Sequence, residues 1–516
     1  MKKKMLLIFY ILPVFTIFLS CHDSRKAVEK PNIIIILADD MGYSDLGCTG
    51  SEIETPNLDR MAKNGVLFTD FYNTSRCCPS RASLLTGQYQ WDAGMGAMDD
   101  THSEYPEYQG YLNDKSVTIA EVLKQNGYQT FMAGKWHLGS KERHMWPDKH
   151  GFDQFYGTPQ GGGIYFYPSK FYDRPVYWNG ILVEPDTTWY STDAFTDYCI
   201  NYIKNDKKKG KPFFIYLAYI APHFPLQAKK GDIDKYLETY KVGYDMIRKA
   251  RFEKQKRLGI VSEDIPSSDP VYPEWESIVN KEEEVRKMAV YAAMVDCMDQ
   301  NIGRLMNVLE AKSLANNTIV LFLSDNGACK AAWNKTPAAK IGSRNCNAAY
   351  GIWYNVSNTP YRMHKCLEHE GGIITPLIMY WPEGIKNKGF VTHQPAHIND
   401  IMPTCLELAG ATYPKKYNGE ILDPLDGQSL LPLIDGNEQD KNRQLYWEHE
   451  GNRAIRIGNW KLVAINKTRW ELYNLAVDPY ELNNLIGQES EKASELLAKY
   501  KEWAKKHGVR SWPLKK

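Results

Sequence analysis

The stretch PNIIIILADD, residues 31–40, joins a run of branched apolar side chains to two aspartates. Ile33 to Leu37 shows no alternation of polar and apolar residues, which is typical of a strand buried on both faces. Asp39 and Asp40 follow at the point where such a strand would end. We therefore expect a central strand of a parallel sheet with an acidic pair at its carboxyl end.

Strands and helices alternate from this stretch to about residue 437. Buried strands are predicted within residues 128–136, 212–223, 316–327 and 371–381, and helices over 55–65, 118–127, 282–313 and 399–410. The longest of these helices repeats its apolar side chains every three or four positions, as one buried helix face requires. The alternation predicts an α/β fold, with a large mixed, mostly parallel sheet sandwiched by helices.

The chain changes character after residue 437. RAIRIGNWKLVAI (453–465) and RWELYNLAVDPYELNNL (469–485) are typical of short antiparallel strands, and SEKASELLAKYKEWAKKHG (490–508) favours a closing helix. We predict one large domain over 28–437 and a small C-terminal α+β domain with an antiparallel sheet over 438–516.

The first twenty residues have the composition of a targeting segment and are set aside from the fold. Lys2 to Lys4 precede an apolar stretch from Met5 to Leu19, and Ser20-Cys21 follows it. A small residue before a cysteine resembles a bacterial lipoprotein processing site, so we expect a signal peptide over 1–20 and lipidation of Cys21. The alternative is a plain signal peptide cut near Ser20. Both predict export, to the periplasm or as an outer-membrane lipoprotein.

Composition excludes some partners. Of 516 residues, 24% are charged, and the formal net charge is only +1. This balance gives no electrostatic case for nucleic acid or for an acidic lipid surface, so membrane contact is expected only through the lipid anchor. The ten cysteines show no disulfide framework and no zinc-type spacing, although a disulfide between Cys329 and Cys346 is conceivable.

Polar residues follow two of the predicted strands. Asp39 and Asp40 end the first, and Asp325 and Asn326 end the strand within 316–327. If these strands are neighbours, three carboxylates converge and would repel one another without a divalent cation. Oxygen ligands without thiolate favour Ca²⁺ or Mg²⁺ over zinc. The alternative is that the Asp39-Asp40 pair merely caps a turn.

The stretch SRCCPSRASLLTGQ (75–88) places Cys77 two residues before Pro79 and one helical turn before Arg81. A structural cysteine needs no such neighbours; the alternatives are a vicinal disulfide with Cys78 or two buried thiols. The segment resembles the signature of the type I sulfatases, the formylglycine-dependent arylsulfatase group of the alkaline-phosphatase superfamily. The resemblance implies an alkaline-phosphatase-like fold.

In that family a formylglycine-generating enzyme oxidises the signature cysteine to Cα-formylglycine. The aldehyde hydrates to a gem-diol, and one of its hydroxyls attacks sulfur. The resemblance implies that Cys77 is the modified residue, that Cys78 is inert, and that Arg81 stabilises and orients the diol.

Further segments carry the resemblance in the family's order. They are LADDMGYSDLG (37–47), AGKWHLG (133–139), APHFPLQ (221–227), LSDNGA (323–328) and YRMHKCLEHEGGIITP (361–376). By similarity, Lys135 and Lys365 bind sulfate oxygens, His137 deprotonates the sulfated diol, and His223 protonates the leaving alcohol. The implied metal ligands are Asp39, Asp40, Asp325 and Asn326.

Three segments between these motifs are expected to form the rim of the substrate pocket: 88–113, 160–174 and 327–362. Asp99 and Asp100 could accept hydrogen bonds from sugar hydroxyls. Tyrosines 165, 167 and 172 could stack on a sugar ring, or the loops could simply fold on their own aromatic side chains. An exported sulfatase suggests a sulfated glycan as substrate, with sulfated galactose as one candidate and aryl sulfates as artificial substrates.

Two other functions compete with a sulfuric ester hydrolase. A phosphoesterase or phosphodiesterase of the same superfamily would usually have a Ser or Thr nucleophile and more histidines around two zinc ions. A non-catalytic glycan-binding lipoprotein would leave Cys77 unmodified. The CxPSR segment and the single set of oxygen ligands favour the sulfatase.

Overall fold

The computed structural model of the chain describes residues 30–101, 103–167, 174–205, 210–438, 440 and 442–514. The predicted signal peptide and Cys21 lie outside these residues. Within the described part, no helix is both long enough and apolar enough to cross a membrane.

One mixed sheet of 11 strands forms the centre of the molecule. Its strands are β1 (Asn32–Ala38), β2 (Val66–Tyr72), β3 (Gln129–Lys135), β4 (Gln154–Thr158), β5 (Val176–Trp178), β6 (Ile181–Val183), β7 (Phe213–Ala218), β8 (Thr318–Ser324), β9 (Ile374–Tyr380), β10 (Phe390–Thr392) and β11 (Ala396–His397). They lie in the order β10-β2-β9-β8-β1-β7-β3-β4-β5-β6, and β11 pairs with β2. Strands β8, β1, β7, β3 and β4 are mutually parallel, which confirms the predicted mostly parallel sheet.

Strand β1 is central because both of its faces are buried. Ile34 and Ile36 pack into one hydrophobic core, while Ile33 and Ile35 pack into a second core on the other face. Successive side chains of a strand point to opposite faces, so an unbroken apolar run fits only a strand covered on both sides.

Helices cover both faces of the sheet. They are α1 (Pro56–Lys63), α2 (Cys77–Thr86), α3 (Ile119–Gln125), α4 (Ser191–Asn205), α5 (Lys230–Asp234), α6 (Tyr244–Arg257), α7 (Lys281–Ala311), α8 (Tyr354–Ser357), α9 (Glu370–Ile373), α10 (Ile401–Ala409), α11 (Leu431–Ile434) and α12 (Ser490–Lys506). The long helix α7 contributes to the first core together with α1 and α4. Helices α2, α3 and α10 contribute to the second.

A small hairpin, β12 (Lys416–Tyr417) and β13 (Glu420–Ile421), precedes the C-terminal sheet. That sheet is antiparallel and consists of β14 (Gln444–His449), β15 (Asn452–Ile457), β16 (Trp460–Ala464) and β17 (Glu471–Asn474). Tyr446 faces α12 and stacks on Trp503, with ring centroids 4.7 Å apart. Trp447 faces the large sheet and donates from Nε1 to the carbonyl of Asn73 at 2.8 Å. The predicted antiparallel sheet is confirmed, while the boundary between 437 and 438 stays a prediction.

The nine described cysteines are all free thiols, Cys329 and Cys346 among them. The disulfide considered between these two is therefore wrong. Cys329 lines an open pocket, whereas Cys346 is fully buried in the first core, so the two side chains lie in different environments.

The direction of the strands gathers distant segments at one edge of the large sheet. Parallel strands β1, β3, β7 and β8 end at this edge. Strand β9 is antiparallel to both β8 and β2, so β2 also ends here and β9 begins here. The segments that follow five strands, and the segment that precedes β9, therefore meet in space.

Candidate active site

The acidic residues after β1 and β8 contact one another. The backbone N–H of Asp40 donates to Asp325 Oδ1 at 3.3 Å, and Asn326 Nδ2 donates to Asp40 Oδ1 at 2.7 Å. Asp40 adopts a φ of +67°, a left-handed conformation that is rare outside glycine and that directs its carboxylate into the site. Asp39, Asp40, Asp325 and Asn326 therefore lie close together, as the sequence predicted.

This group of oxygen atoms fits a hard divalent cation. Asp40 Oδ2 and Asn326 Oδ1 are buried and accept no hydrogen bond from any described residue. Burial and the neighbouring charge of Asp39 raise the pKa of Asp325 to about 6, which reflects carboxylate crowding. Carboxylate and amide oxygens with spare lone pairs suit Ca²⁺ or Mg²⁺.

Cys77 lies beside these carboxylates at the first position of α2. Its Sγ is 3.0 Å from the Lys365 ammonium and 3.6 Å from Asp39 Oδ1. Burial raises the pKa of the Cys77 thiol although Lys135 and Lys365 oppose the shift. The side chain is thus a neutral thiol near neutral pH, unlike the thiolate of an activated cysteine nucleophile.

Arg81 lies one turn further along α2 and is fully buried. Its Nη2 and Nε donate to Asp325 Oδ2 at 2.9 and 3.2 Å, and its Nη1 donates to the carbonyl of Lys135 at 2.9 Å. The guanidinium therefore ties the end of β3 to the end of β8 beneath Cys77.

Two lysines complete the cationic side of the site. Lys135, the last residue of β3, places Nζ 2.5 Å from Asp39 Oδ2. Lys365, in the segment before β9, pairs with Asp40 Oδ1. Burial disfavours ionisation of Asp39, yet Lys135 and other nearby cations outweigh it and lower the pKa of that carboxyl.

His223 follows β7 and faces the same carboxylates. Its Nε2 is 3.5 Å from Asp40 Oδ2, and its Nδ1 is 2.6 Å from the carbonyl oxygen of Phe224. Because a carbonyl oxygen can only accept a hydrogen bond, Nδ1 must carry a proton. The hydroxyl of Tyr165 donates to the carbonyl of His223 at 2.6 Å. Tyr165 is fully buried, so its expected stacking on a sugar is wrong; it supports the His223 loop instead.

His137 lies two residues beyond β3, in a left-handed conformation with φ +62°. Its Nε2 is 3.2 Å from Asp99 Oδ1, and Asp99 also accepts from Ser140 Oγ at 3.3 Å. The sequence suggested Asp99 only for sugar hydroxyls. The pairing with His137 was missed because 38 residues separate the two and no local pattern connects them.

Comparison with known proteins decides the family. The sulfatase family profile matches residues 31–411. The chain belongs to the sulfatase family. A second profile, described as N-sulphoglucosamine sulphohydrolase, C-terminal, matches residues 362–507. The resemblance inferred from the motifs is confirmed.

Named relatives of this sulfatase span nearly the whole chain. An uncharacterized sulfatase of Schizosaccharomyces pombe is 35% identical and covers 94% of this chain and 95% of its own length. An arylsulfatase of Klebsiella aerogenes is 34% identical and covers 81% of this chain and 95% of its own. The sulfatase is thus a hydrolase of sulfate esters.

Solved structures support the same fold. The crystal structure of Ps i-CgsB in complex with k-i-k-neocarrahexaose superposes with a TM-score of 0.70 at 28% identity, covering 92% of this chain and 93% of its own. A phosphonate monoester hydrolase of Agrobacterium radiobacter superposes with a TM-score of 0.59 at 19% identity, covering 92% and 96%, which shows the fold alone.

The sulfatase has a pocket of about 440 Å³ above Cys77. It is lined by Arg76, Cys77, Met98, Asp99, Asp100, His137, Ser140, Lys141, Gln160, Gly161, Gly162, Arg174, His223, Phe224, Cys329, Ala331 and Lys365. All three predicted rim segments contribute to this lining. Tyr167 does not, and Tyr172 lies outside the described residues. Sequence reasoning missed Arg76 and Phe224, although each adjoins a predicted catalytic residue.

Proposed function

We propose that this sulfatase hydrolyses sulfate monoesters with a formylglycine derived from Cys77 and with a divalent cation. The observation that carries the proposal is the placement of Cys77. Its Sγ lies at the base of the pocket, 3.0 Å from Lys365 and 3.6 Å from Asp39, in the segment that a formylglycine-generating enzyme would recognise.

The state of the thiol supports modification. Burial keeps the Cys77 thiol protonated, and a neutral thiol is a weak nucleophile. Formylglycine supplies at this position a hydrated aldehyde whose hydroxyl can attack sulfur.

The chain's own residues then have these roles. Lys135 and Lys365 lie on either side of Cys77 and bind the sulfate oxygens, which neutralises the charge of the ester. Arg81 orients the modified side chain from beneath. His137, held by Asp99, takes a proton from the modified side chain.

His223 would protonate the leaving alcohol. Its Nδ1 bond to the Phe224 carbonyl leaves Nε2 to carry the transferred proton, and Nε2 is 3.5 Å from Asp40 Oδ2. Burial lowers the pKa of His223 to about 4. The acid role requires this pKa to rise when substrate binds, and the negative charge of a bound sulfate ester would raise it, whereas the cation would lower it.

Asp39, Asp40, Asp325 and Asn326 would hold the cation, which we propose to be Ca²⁺, with Mg²⁺ as the alternative. Asp40 Oδ2 and Asn326 Oδ1, which accept no hydrogen bond from the described residues, support this assignment. The cation supplies Lewis-acid stabilisation of negative charge on oxygen.

We propose a sulfated glycan as the natural substrate, with sulfated galactose as one candidate and aryl sulfates as artificial substrates. Relatives support this: N-acetylgalactosamine-6-sulfatase of Canis lupus familiaris is 29% identical over 89% of this chain, and Ps i-CgsB is bound to a neocarrahexaose. The pocket's polar lining, including Asp100 and Gln160, suits hydroxyl-rich ligands.

We also propose that the protein is exported, to the periplasm or as an outer-membrane lipoprotein anchored through Cys21. The basic and apolar start of the sequence supports this. Oxidation of Cys77 by a formylglycine-generating enzyme would then precede folding.

The experiment combines mass spectrometry with an assay on protein from its native host. Trypsin releases residues 77–81 as one peptide, and formylglycine lowers its mass by about 18 Da. We expect the lighter peptide, sulfate release from 4-nitrophenyl sulfate, and little turnover of 4-nitrophenyl phosphate. An unmodified peptide in active enzyme would overturn the mechanism. Preferred turnover of phosphate would favour the phosphoesterase, and a lack of any turnover with retained glycan binding would favour the binding protein.

A further inference from the structure

Arg76 occupies a singular position in the pocket. It directly precedes Cys77 and forms the extended residue before α2 (φ −149°, ψ 150°). Consecutive Cα atoms are ~3.8 Å apart, so this side chain starts next to the nucleophilic position. Its side chain lines the same pocket as Cys77 and Lys365.

The guanidinium of Arg76 is held by sulfur atoms. Its Nε donates to Met98 Sδ at 3.3 Å, and its Nη1 donates to Cys366 Sγ. Sulfur is a weak hydrogen-bond acceptor. Burial raises the pKa of the Cys366 thiol, so this partner is neutral and does not compensate the positive charge.

No carboxylate of the described residues lies within 4.0 Å of the Arg76 guanidinium. Two other buried arginines have carboxylate partners: Arg81 pairs with Asp325, and Arg251 pairs with Asp45 and Glu52. The charge of Glu450 helps to raise the pKa of Arg76, but it acts from beyond ion-pair distance. A partly buried cation without a direct ion-pair partner is costly. Arg76 can therefore bind an anion that is not part of the chain.

Two other charges of the pocket are already engaged. Lys365 pairs with Asp40, and Asp99 pairs with His137. Lys141 also lines the pocket, but it is exposed and its charge is screened by water. Arg76 is thus a partly buried cation of the pocket whose donors can form charge-assisted bonds with a ligand.

We propose that Arg76 binds a second anionic group of the substrate, either a sulfate ester or a carboxylate, near the sulfate that is cleaved. This inference rests on the proposed function and narrows its substrate to glycans with two neighbouring anions. A planar guanidinium forms bidentate hydrogen bonds with a sulfate ester or with a carboxylate. Arg76 would therefore fix the orientation of the second anion as well as attract it.

The test measures competitive inhibition of 4-nitrophenyl sulfate hydrolysis. Galactose 6-sulfate is compared with galactose 2,6-disulfate and 4,6-disulfate, and N-acetylgalactosamine 6-sulfate is compared with a chondroitin disaccharide 6-sulfate that adds a uronate carboxylate. We expect at least one dianionic sugar to have an inhibition constant about tenfold or more below that of its monoanionic partner. The comparison in which the inhibition constant falls identifies the second anion, as a sulfate ester or as a carboxylate.

The variant Arg76→Gln should reduce that ratio to within about twofold, whereas the matched control Lys141→Gln should retain it. Arg76→Lys keeps the charge without the planar fork, so we expect an intermediate ratio. Rates are normalised to the formylglycine content of each variant, and circular dichroism checks folding.

Equal inhibition constants for all pairs in the wild type would overturn the inference, as would a ratio that survives in Arg76→Gln. Failure of the proposed function looks different, because formylglycine-containing wild type would then not hydrolyse 4-nitrophenyl sulfate. In that case calorimetric titration of the same sugars into the wild type gives the ratio directly, and equal affinities would still overturn the inference.

Discussion

Two clusters of buried charges in this sulfatase differ in what they leave unsatisfied. The first, called the site cluster, consists of Asp39, Asp40, Asp325, Arg81, Lys135 and Lys365. The second, called the joint cluster, connects the large sheet to the C-terminal sheet and consists of Glu370, Glu481, Lys461, Arg456 and Tyr72.

The charges of the joint cluster pair with one another. Lys461 lies 2.6 Å from Glu370 Oε1 and 2.8 Å from Glu481 Oε1, and Tyr72 donates to Glu370 Oε2 at 2.7 Å. Arg456 in turn donates to the Tyr72 hydroxyl. Lys461 of the C-terminal sheet thus pairs with Glu370, which directly precedes β9 of the large sheet, and this arrangement suits a structural role.

The site cluster has a similar balance of charges but remains open to ligands. Asp40 Oδ2 and Asn326 Oδ1 accept no hydrogen bond within the described part of the chain, and Lys365 also faces Cys77 and the pocket. The comparison teaches that burial of charge alone does not identify an active site. The joint cluster also borders a pocket, through Tyr72, Glu370 and Arg456. What distinguishes the site cluster is that its free carboxylate and amide oxygens lie beside Cys77, where a ligand can react.

The largest expected effect comes from the residue that gives the site cluster its chemistry. Cys77→Ala removes the proposed nucleophile, so we expect turnover of 4-nitrophenyl sulfate to fall more than about 10⁴-fold while the melting temperature stays close to that of the wild type. Cys78→Ala is the matched control, because it removes the neighbouring thiol and should keep formylglycine at position 77. Substantial activity in Cys77→Ala would refute the mechanism.

Removing a ligand should open the site cluster further. In Asp325→Ala we expect bound calcium or magnesium, measured by elemental analysis of purified protein, to be lost together with about 10³-fold or more in kcat/KM. Because Arg81 would also lose its partner, Asp325→Asn serves as the milder variant. A variant that keeps full metal content would remove Asp325 from the ligand set.

His223→Ala should test the role of the histidine that faces the site cluster. A poor leaving group needs a proton more than a good one does, so we expect a loss of about 10²-fold or more on sugar sulfates and a smaller loss on 4-nitrophenyl sulfate. The measurement is kcat/KM on both substrates. Equal losses would exclude His223 as the acid.

The joint cluster should respond in stability instead of chemistry. Glu481→Gln leaves the Lys461 ammonium with one buried partner fewer, and breaking a buried ion pair costs about 3–5 kcal/mol of unfolding free energy. We expect denaturant unfolding at lower concentration with metal content retained. Loss of metal in this variant, with unchanged stability, would contradict the separation of the two clusters.

Local sequence patterns predicted much of the fold. The helix expected over 282–313 is α7, Lys281–Ala311, and the unbroken apolar run at Ile33 to Leu37 is the central strand β1. These predictions succeed because helix and strand periodicity are properties of short segments. The same holds for the candidate site residues, which stand in short motifs and could be named before their distances were known.

Contacts between distant segments needed the tertiary structure. The sequence predicted a strand within 371–381, which is β9 (Ile374–Tyr380), but not its antiparallel direction. That direction brings Lys365 to Asp40 across 325 residues. The buried role of Tyr165 and the sulfur partners of Arg76 likewise depend on which loops pack together.

The sequence by itself thus determined the α/β class, the order of the motifs, the family and the candidate catalytic and metal-binding residues. Only the tertiary structure decided which charges are paired with one another and which are left for a ligand. The physical reason is that propensity and motif act over a few residues, whereas the pairing of buried charges is set by packing across the whole sheet.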